Sequence, residues 1–390
     1  MYKNKTYFRR LQEILMVSLY LGLTSFGGPV AHLGYFHSEY VKKRKWVSEE
    51  LYSDLVALCQ FLPGPASSQV GIAIGTHRGG ILGGIMAWIG FTVPSALALV
   101  LAYYGLRDID PSSLSWVHGL KIIAVAVVAQ AVWRMGVQLA PDKTRATVAF
   151  LGAAITLLWP NAFIQVLIIL AAGIVGTLIK KPRVGSNYQT MNFPLSKRTG
   201  IIALSLLTAL LAGLPMLRQA TGNEWLGIFD SFFRIGSLVF GGGHVVLPLL
   251  EKEVVPAGWV ERGQFLTGYG LTQAVPGPLF TFAAYLGAVM GGWMGAVITT
   301  IAIFLPSFLF VIGVVPFWDT LRTTPSLQSA LWAINAAVVG ILLAALYDPV
   351  WISAISGTVD FTIAIICFGL LQFWRVPPWC VVIIACLLTA

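Results

Sequence analysis

Apolar residues run along this chain in long blocks, roughly 11–36, 50–74, 79–104, 116–139, 146–159, 162–179, 199–217, 225–250, 263–289, 291–316, 327–347, 351–374 and 377–390. Most are of the length a helix needs to cross a hydrocarbon layer of about 30 Å. Several are too long for one perpendicular span, or are interrupted by glycine and proline, so fewer crossings than blocks are expected. The pattern predicts an all-α polytopic membrane protein.

Composition supports that prediction. Hydrophobic residues make up 57% of the 390 and charged residues 11%, and the mean hydropathy is +0.80. A soluble domain carries about 25% charged residues. The net charge of +9 lies in the connections between apolar blocks, the distribution that orients a membrane protein with its positive loops inside, and no nucleic-acid partner is expected. Cys59, Cys367, Cys380 and Cys386 stand apart in apolar sequence without metal-ligand spacing, so no metal and no cofactor are expected. Lys3, Lys5, Arg9 and Arg10 precede the first block like the start of a signal peptide. Because that block leads into a motif that recurs later, it is expected to be an uncleaved membrane segment.

The longest polar stretch, residues 180–198, holds Lys180, Lys181, Arg183, Lys197 and Arg198 and no acid. It reads as a cytoplasmic linker, and the sequences on its two sides repeat each other. Ser25-Phe26-Gly27-Gly28 aligns with Val239-Phe240-Gly241-Gly242, Trp46-Val47 with Trp259-Val260, and Gln60 with Gln273. Pro63-Gly64-Pro65 aligns with Pro276-Gly277-Pro278. Gly75, Gly79-Gly80 and Gly83 align with Gly287, Gly291-Gly292 and Gly295, and Pro94-Ser95 with Pro306-Ser307. The offset drifts only from 214 to 212. The expected organisation is an N-terminal repeat over 1–179, the basic linker 180–198, a connecting transmembrane segment in 199–224 and a C-terminal repeat over 225–390.

Charge suggests how the copies face. Lys42, Lys43, Arg44 and Lys45 follow the first glycine motif, whereas the matching loop has Lys252 and Arg262 against Glu251, Glu253 and Glu261. Nineteen cations precede residue 200 and six follow it. Opposite cation bias in equivalent loops predicts inverted repeats, a recurrent transporter plan, with the segment near 199–217 supplying the odd crossing. If 11–36 were a simple span from the cytoplasm, the Lys42–Lys45 cluster would fall outside. A re-entrant hairpin turning at Gly27-Gly28-Pro29 removes that conflict.

Two kinds of helix break occur in each half. Proline removes a backbone donor and disfavours helix in the residue before it, so each Pro-Gly-Pro should end one helix and begin the next. Such a break within a bilayer must be buried in protein or line a wet cavity. The freed amides and the positive helix end suit an anion. The plain alternative is that these prolines kink packed helices. The anion reading assigns substrate binding to Gly27, Gly28, Pro63, Gly64, Pro65, Ser67, Ser68 and Gln69 in the first copy. In the second it assigns Arg234, Gly241, Gly242, Gly243, His244, Pro276, Gly277, Pro278 and Thr281. Arg234 and His244 are intramembrane ionisable residues and so functional candidates. His244, Asp54 and Glu253 are candidates for coupling a proton. Recognisable enzyme motifs and an ATP-binding loop are missing, so no catalytic residues are assigned and any pumping is expected to draw on an ion gradient, on exchange or on a separate subunit.

The run Ser25-Phe26-Gly27-Gly28-Pro29-Val30-Ala31-His32-Leu33-Gly34-Tyr35-Phe36 resembles the opening signature of the chromate ion transporter family. So do Leu58-Cys59-Gln60-Phe61-Leu62-Pro63-Gly64-Pro65-Ala66-Ser67-Ser68-Gln69-Val70-Gly71, Arg234-Ile235-Gly236 and Gln273-Ala274-Val275-Pro276-Gly277-Pro278. The resemblance implies a bidomain chromate efflux protein of the inner membrane, driven by membrane potential, a proton gradient or anion exchange, and conferring chromate resistance. It implies sulfate, an isosteric dianion, as competitor. Where the family often has a basic residue matching Arg234, the first half here has Tyr20. Expected partners are chromate, sulfate, membrane lipid and a second copy in a homodimer. A transporter of another oxyanion, a passive anion channel and a membrane-embedded reductase are the competing readings.

Overall fold

The computed structural model describes residues 2–26, 28–107, 115–159, 162–179, 193–239, 246–321 and 324–389. Among these residues all regular structure is helical. The first stretch holds α1 (Tyr2–Thr24), α2 (Gly28–Phe36) with a π-helical extension His37–Lys43, α3 (Glu49–Phe61) and α4 (Ala66–Leu106). Then come α5 (Ser115–Leu139), α6 (Lys143–Leu158), α7 (Ala162–Leu178), α8 (Lys197–Thr221), α9 (Glu224–Leu238), α10 (Val246–Val254) and α11 (Arg262–Ala274). The remainder is α12 (Phe282–Val314), α13 (Trp318–Leu321), α14 (Pro325–Ala345), α15 (Ile352–Ala354), α16 (Thr358–Gln372) and α17 (Pro378–Thr389). Side-chain caps mark several starts: Ser48 accepts from the Leu51 amide, Ser196 from Thr199 and Asn223 from Leu226.

Among the described residues four helical stretches are long and apolar enough to cross a membrane: Ala66–Leu106, Lys197–Thr221, Leu279–Leu321 and Pro325–Asp348. Two of them fold back on themselves. α4 breaks at Gly79-Gly80, where Gly80 has φ 64°, and α12 breaks at Gly291-Gly292, where Gly292 has φ 61°. The arms close through glycines. A Cβ on Gly83 would meet the Gly75 carbonyl oxygen at 2.2 Å, and one on Gly295 would meet that of Gly287 at 2.1 Å. Small residues let backbones approach this closely. Each first arm, 66–78 or 279–290, is only about 20 Å long, too short to cross the bilayer.

The chain forms two compact units, each drawing on both halves of the sequence. One holds residues 1–103, 187–243 and 275–319, the other 104–186, 244–274 and 320–390. In the second unit α14 packs on α6 and α7, around Ile168, Ala172, Ala333, Ala337 and Ile341, and α5 packs on α16 and α17.

The first unit contains the glycine-kinked arms, and its contacts fix their directions. Glu13 of α1 lies 2.8 Å from Arg78, at the kink of α4, and 3.7 Å from Arg44. The Arg78 guanidinium sits 4.3 Å from the centre of the Trp46 ring. The start of α1, the Lys42–Lys45 cluster, the start of α3 and the kink of α4 therefore share one end. Residues 11–36 dip in and return, as the hairpin reading expects, and α3 with the first arm of α4 makes a second hairpin whose tip is Pro63-Gly64-Pro65. Phe193, just before α8, rests on His77 beside that end. α8 then runs away, and Gly227, just past its far end, packs on Arg218. There Trp225 of α9 packs on Gly291, at the kink of α12.

The two copies run in opposite directions. Tyr103 lies about 35 Å along the helix from the Gly80 kink, and Tyr285 about 10 Å from the Gly292 kink. Their rings are nevertheless 6.0 Å apart. Copies facing the same way would hold these rings far apart. α8, which is long and apolar enough to cross a membrane, connects the two copies.

Candidate functional site

Both Pro-Gly-Pro turns lie in the first unit and are built alike. Gly64 and Gly277 have φ values of 117° and 101°, a region that favours glycine. The Gly64 amide donates to the Val239 carbonyl at 2.5 Å, and the Gly277 amide donates to the Ser25 carbonyl at 2.9 Å. Val239 is the repeat counterpart of Ser25, so each proline turn is tied to the glycine-motif turn of the other half. Ser307 Oγ lies 2.7 Å from where a Gly64 Cβ would stand, and Ser95 Oγ lies 2.7 Å from that of Gly277. These serines are also repeat partners. Among the described residues, each proline turn thus meets the end of the helix that leads into the glycine motif of the opposed copy, at Val239 or Ser25.

The candidate donors at this meeting point are not equivalent. Gln69 Nε2 donates to the Pro63 carbonyl, and Thr281 Oγ1 donates to the Pro278 carbonyl at 2.7 Å, so both brace their own turns. Ser67 Oγ is 3.2 Å from His32 Nδ1. Ser68 Oγ is buried and makes no hydrogen bond. The same is true of Ser25 Oγ, Ser307 Oγ, Thr92 Oγ1, Gln69 Oε1 and His32 Nε2. A buried polar atom left unpaired costs about 1–3 kcal/mol. Several clustered around four chain breaks are the mark of a site that takes a polar ligand or water. The first turn of α4 adds amides without helical acceptors. Gly28 opens α2 with φ 76°, whereas Gly27, Gly241, Gly242, Gly243 and His244 lie outside the described residues.

Arg234 does not stand alone. Its Nη2 is 2.8 Å from Asp230, one helical turn earlier on α9, and Arg218 Nη1 is 3.9 Å from the same carboxylate. The Asp230 side chain is 3% exposed. The i, i+4 spacing of an acid and a base was the signal that could have announced this pair. Asp54, in the first unit, and Glu253, in the second, are half-buried and have interaction partners.

A titratable group that sequence reasoning missed lies in the second unit. Glu251 is buried, with Oε1 3.1 Å from Arg262 Nε. Burial pushes its carboxyl up to about 7, against the pull of Arg262 and Lys252 and with the help of Asp348. At the shared end of the first unit the opposite balance holds. Burial would raise Glu39, but Arg44 at 2.8 Å and Lys43 at 3.1 Å hold it below the usual carboxylate range.

The family model described as Chromate transporter matches this chain twice, over residues 12–177 and 226–390. A chromate transport protein of Pseudomonas aeruginosa is 30% identical over 86% of the chain and 80% of its own length. A chromate transport protein of Cupriavidus metallidurans is 26% identical over 86% of the chain and 81% of its own length. An uncharacterized transporter of Methanocaldococcus jannaschii is 26% identical over 85% and 82%. No solved structure matches the chain.

Proposed function

The chain belongs to the chromate transporter family, a family of membrane transporters and not of enzymes, and from that premise we propose that it exports chromate across the cytoplasmic membrane. The observation that carries the reading is the meeting of the two Pro-Gly-Pro turns with the glycine-motif turns of the opposite copies. Inverted repeats whose broken helices converge suit a substrate site reached in turn from either side. Around the breaks, unpaired buried hydroxyls and first-turn amides offer donors to a tetrahedral oxyanion. Donors without net charge can bind a dianion and still release it.

In this proposal Ser68 and the amides after Pro65 contact the anion. Gln69 and Thr281 hold the turns, and Pro63, Gly64, Pro65, Pro276, Gly277 and Pro278 shape them. Gly28 opens α2 at the facing turn, and Gly27, Gly241, Gly242, Gly243 and His244 stay substrate-binding candidates from the sequence. Asp230 holds Arg234, with Arg218 near the same carboxylate, so the basic residue is engaged in an ion pair. The membrane potential, a proton gradient or anion exchange drives movement, and export confers chromate resistance.

The test is chromate uptake into inverted vesicles containing the protein, with and without an energised membrane, and with excess sulfate. Energy-dependent, saturable uptake inhibited by sulfate is expected. Movement of sulfate or another oxyanion without chromate would overturn the substrate, and non-saturable flux without energy would point to a channel.

A further inference from the structure

Most of the unpaired polar groups at the meeting point come from the first copy, with Ser307 of the second beside Gly64. In the register of the repeat, Ser25 corresponds to Val239, His32 to Val246, Ser67 to Phe280 and Ser68 to Thr281. At these four sequence positions the second copy carries two valines, a phenylalanine and a threonine whose hydroxyl bonds its own turn.

His32 is the centre of that asymmetry. Its residue is 1% exposed. Nδ1 faces the Ser67 hydroxyl at 3.2 Å, on the first turn after Pro65. The ring stands edge-on to Phe91, with centroids 5.3 Å apart, and lies against the backbone of Ser25, whose carbonyl also receives the Gly277 amide. Nε2 is buried and reaches no partner in hydrogen-bonding geometry. Three walls therefore hold the ring, and Nε2 is left without a partner, as are the hydroxyls of Ser25, before the glycine turn, and Ser68, on the first turn of α4. An apolar residue would fill the same space without leaving a buried nitrogen unpaired.

We propose that His32 is a ligand of the transported oxyanion, donating from Nε2–H alongside the Ser25 and Ser68 hydroxyls, with Ser67 as its positioning residue. A Ser67 hydroxyl that donates to Nδ1 leaves the proton of the neutral imidazole on Nε2, the nitrogen without a partner. Ser67 then acts through His32 instead of touching the anion. The class of ligand is a tetrahedral, fully ionised oxyanion, which accepts hydrogen bonds at every oxygen. The inference rests on the transport reading above and adds to it a specific ligand and a specific half of the protein.

The experiment compares chromate uptake by vesicles carrying the full-length wild type, His32→Leu, His32→Gln and Ser67→Ala, normalised to protein in the membrane. Glutamine can place an amide N–H near the position of Nε2, whereas leucine only fills the space. His32→Leu should raise KM by about tenfold or more, as expected for one lost hydrogen bond to a charged ligand. His32→Gln should bring KM most of the way back, with Vmax near wild type, and Ser67→Ala should raise KM by a smaller factor. Unchanged KM in His32→Leu would overturn the inference, and so would equal losses in His32→Leu and His32→Gln. Should the leucine variant fail to reach the membrane, the glutamine and Ser67→Ala variants decide. Wild-type KM in Ser67→Ala together with an inactive His32→Gln overturns the assignment. Wild-type vesicles that accumulate neither chromate nor sulfate would overturn the transport reading itself and the inference with it. Active wild type with indifferent His32 variants would overturn the inference alone.

Discussion

The amide of Gly277 donates to the carbonyl of Ser25 at 2.9 Å, joining the proline turn of the second half to the glycine turn of the first. The reciprocal bond, Gly64 to Val239, joins the other two turns. Both glycines sit at positive φ, and both face a serine of the opposite copy. An alanine at either position would strain the backbone by about 1–3 kcal/mol. It would also press on Ser307 Oγ from Gly64, or on Ser95 Oγ from Gly277. Gly64→Ala and Gly277→Ala are each expected to abolish chromate resistance, with membrane levels by immunoblot within about twofold of wild type if the strain stays in that range. Full resistance in either variant would show that the turns tolerate displacement.

Closure of the helical arms is a matter of stability more than of binding. A Cβ on Gly83 or Gly295 would run into backbone oxygen of the facing arm, which cannot rotate away. Gly83→Ala and Gly295→Ala should each lower the melting temperature of the purified protein by several degrees, reflecting an overpacking penalty of about 1–3 kcal/mol. Melting curves in detergent at fixed lipid content would check this.

Arg234→Ala leaves the buried Asp230 carboxylate with Arg218, at 3.9 Å, as an ion-pair partner. Loss of resistance is expected. Removing one member of such a pair usually harms more than removing both. The double variant Asp230→Asn, Arg234→Gln should therefore recover protein level relative to Arg234→Ala. Recovery of transport as well would mean that the guanidinium balances Asp230 and does not touch the anion. A correctly inserted but inactive double variant would assign the arginine a direct part in transport.

The carboxyl of Glu251 carries a pH dependence whose sign follows from its environment. Its folded-state value, pushed up to about 7 by burial, lies above that of an exposed glutamate, about 4.3. The folded protein therefore holds this proton more tightly, and the resulting stabilisation is complete below about pH 4 and lost as the pH rises through 7. Glu251→Gln cannot ionise. The melting temperature of wild type should fall relative to that of Glu251→Gln between about pH 5 and pH 8. Parallel profiles would remove Glu251 as a neutral-pH proton site.

The opposed directions of the copies predict opposite labelling. Lys43 is exposed at the end shared by Glu13 and Arg78, and Asn223 is exposed at the far end of α8. In a background without the four native cysteines, Lys43→Cys should react with an impermeant maleimide only in inverted vesicles, and Asn223→Cys only in right-side-out ones. Labelling of both from one side would contradict the inversion.

Much of this architecture was legible along the chain. Apolar block length announced the membrane, and matched motifs at a nearly constant offset announced the duplication. Loop charge announced its inversion, and proline and glycine announced the breaks. Each of these is a local property: backbone chemistry fixes where a helix must stop, whatever surrounds it. Even the return of residues 11–36 followed from placing Lys42–Lys45 on the basic side. What local pattern could not provide was pairing. Which turn receives the Gly64 amide, which hydroxyls stay open, and whether Arg234 is balanced all depend on groups brought together across the chain. Ser67, Gln69 and Thr281 look like equal donors in the sequence, yet the fold engages the first with His32 and the other two with their own turns, leaving Ser68 open. The sequence by itself determined the breaks and their symmetry, because these follow from residue type and spacing. Only the tertiary structure decided that the first half supplies most of the unpaired polar groups there, because burial and hydrogen-bond geometry exist only once the two copies meet.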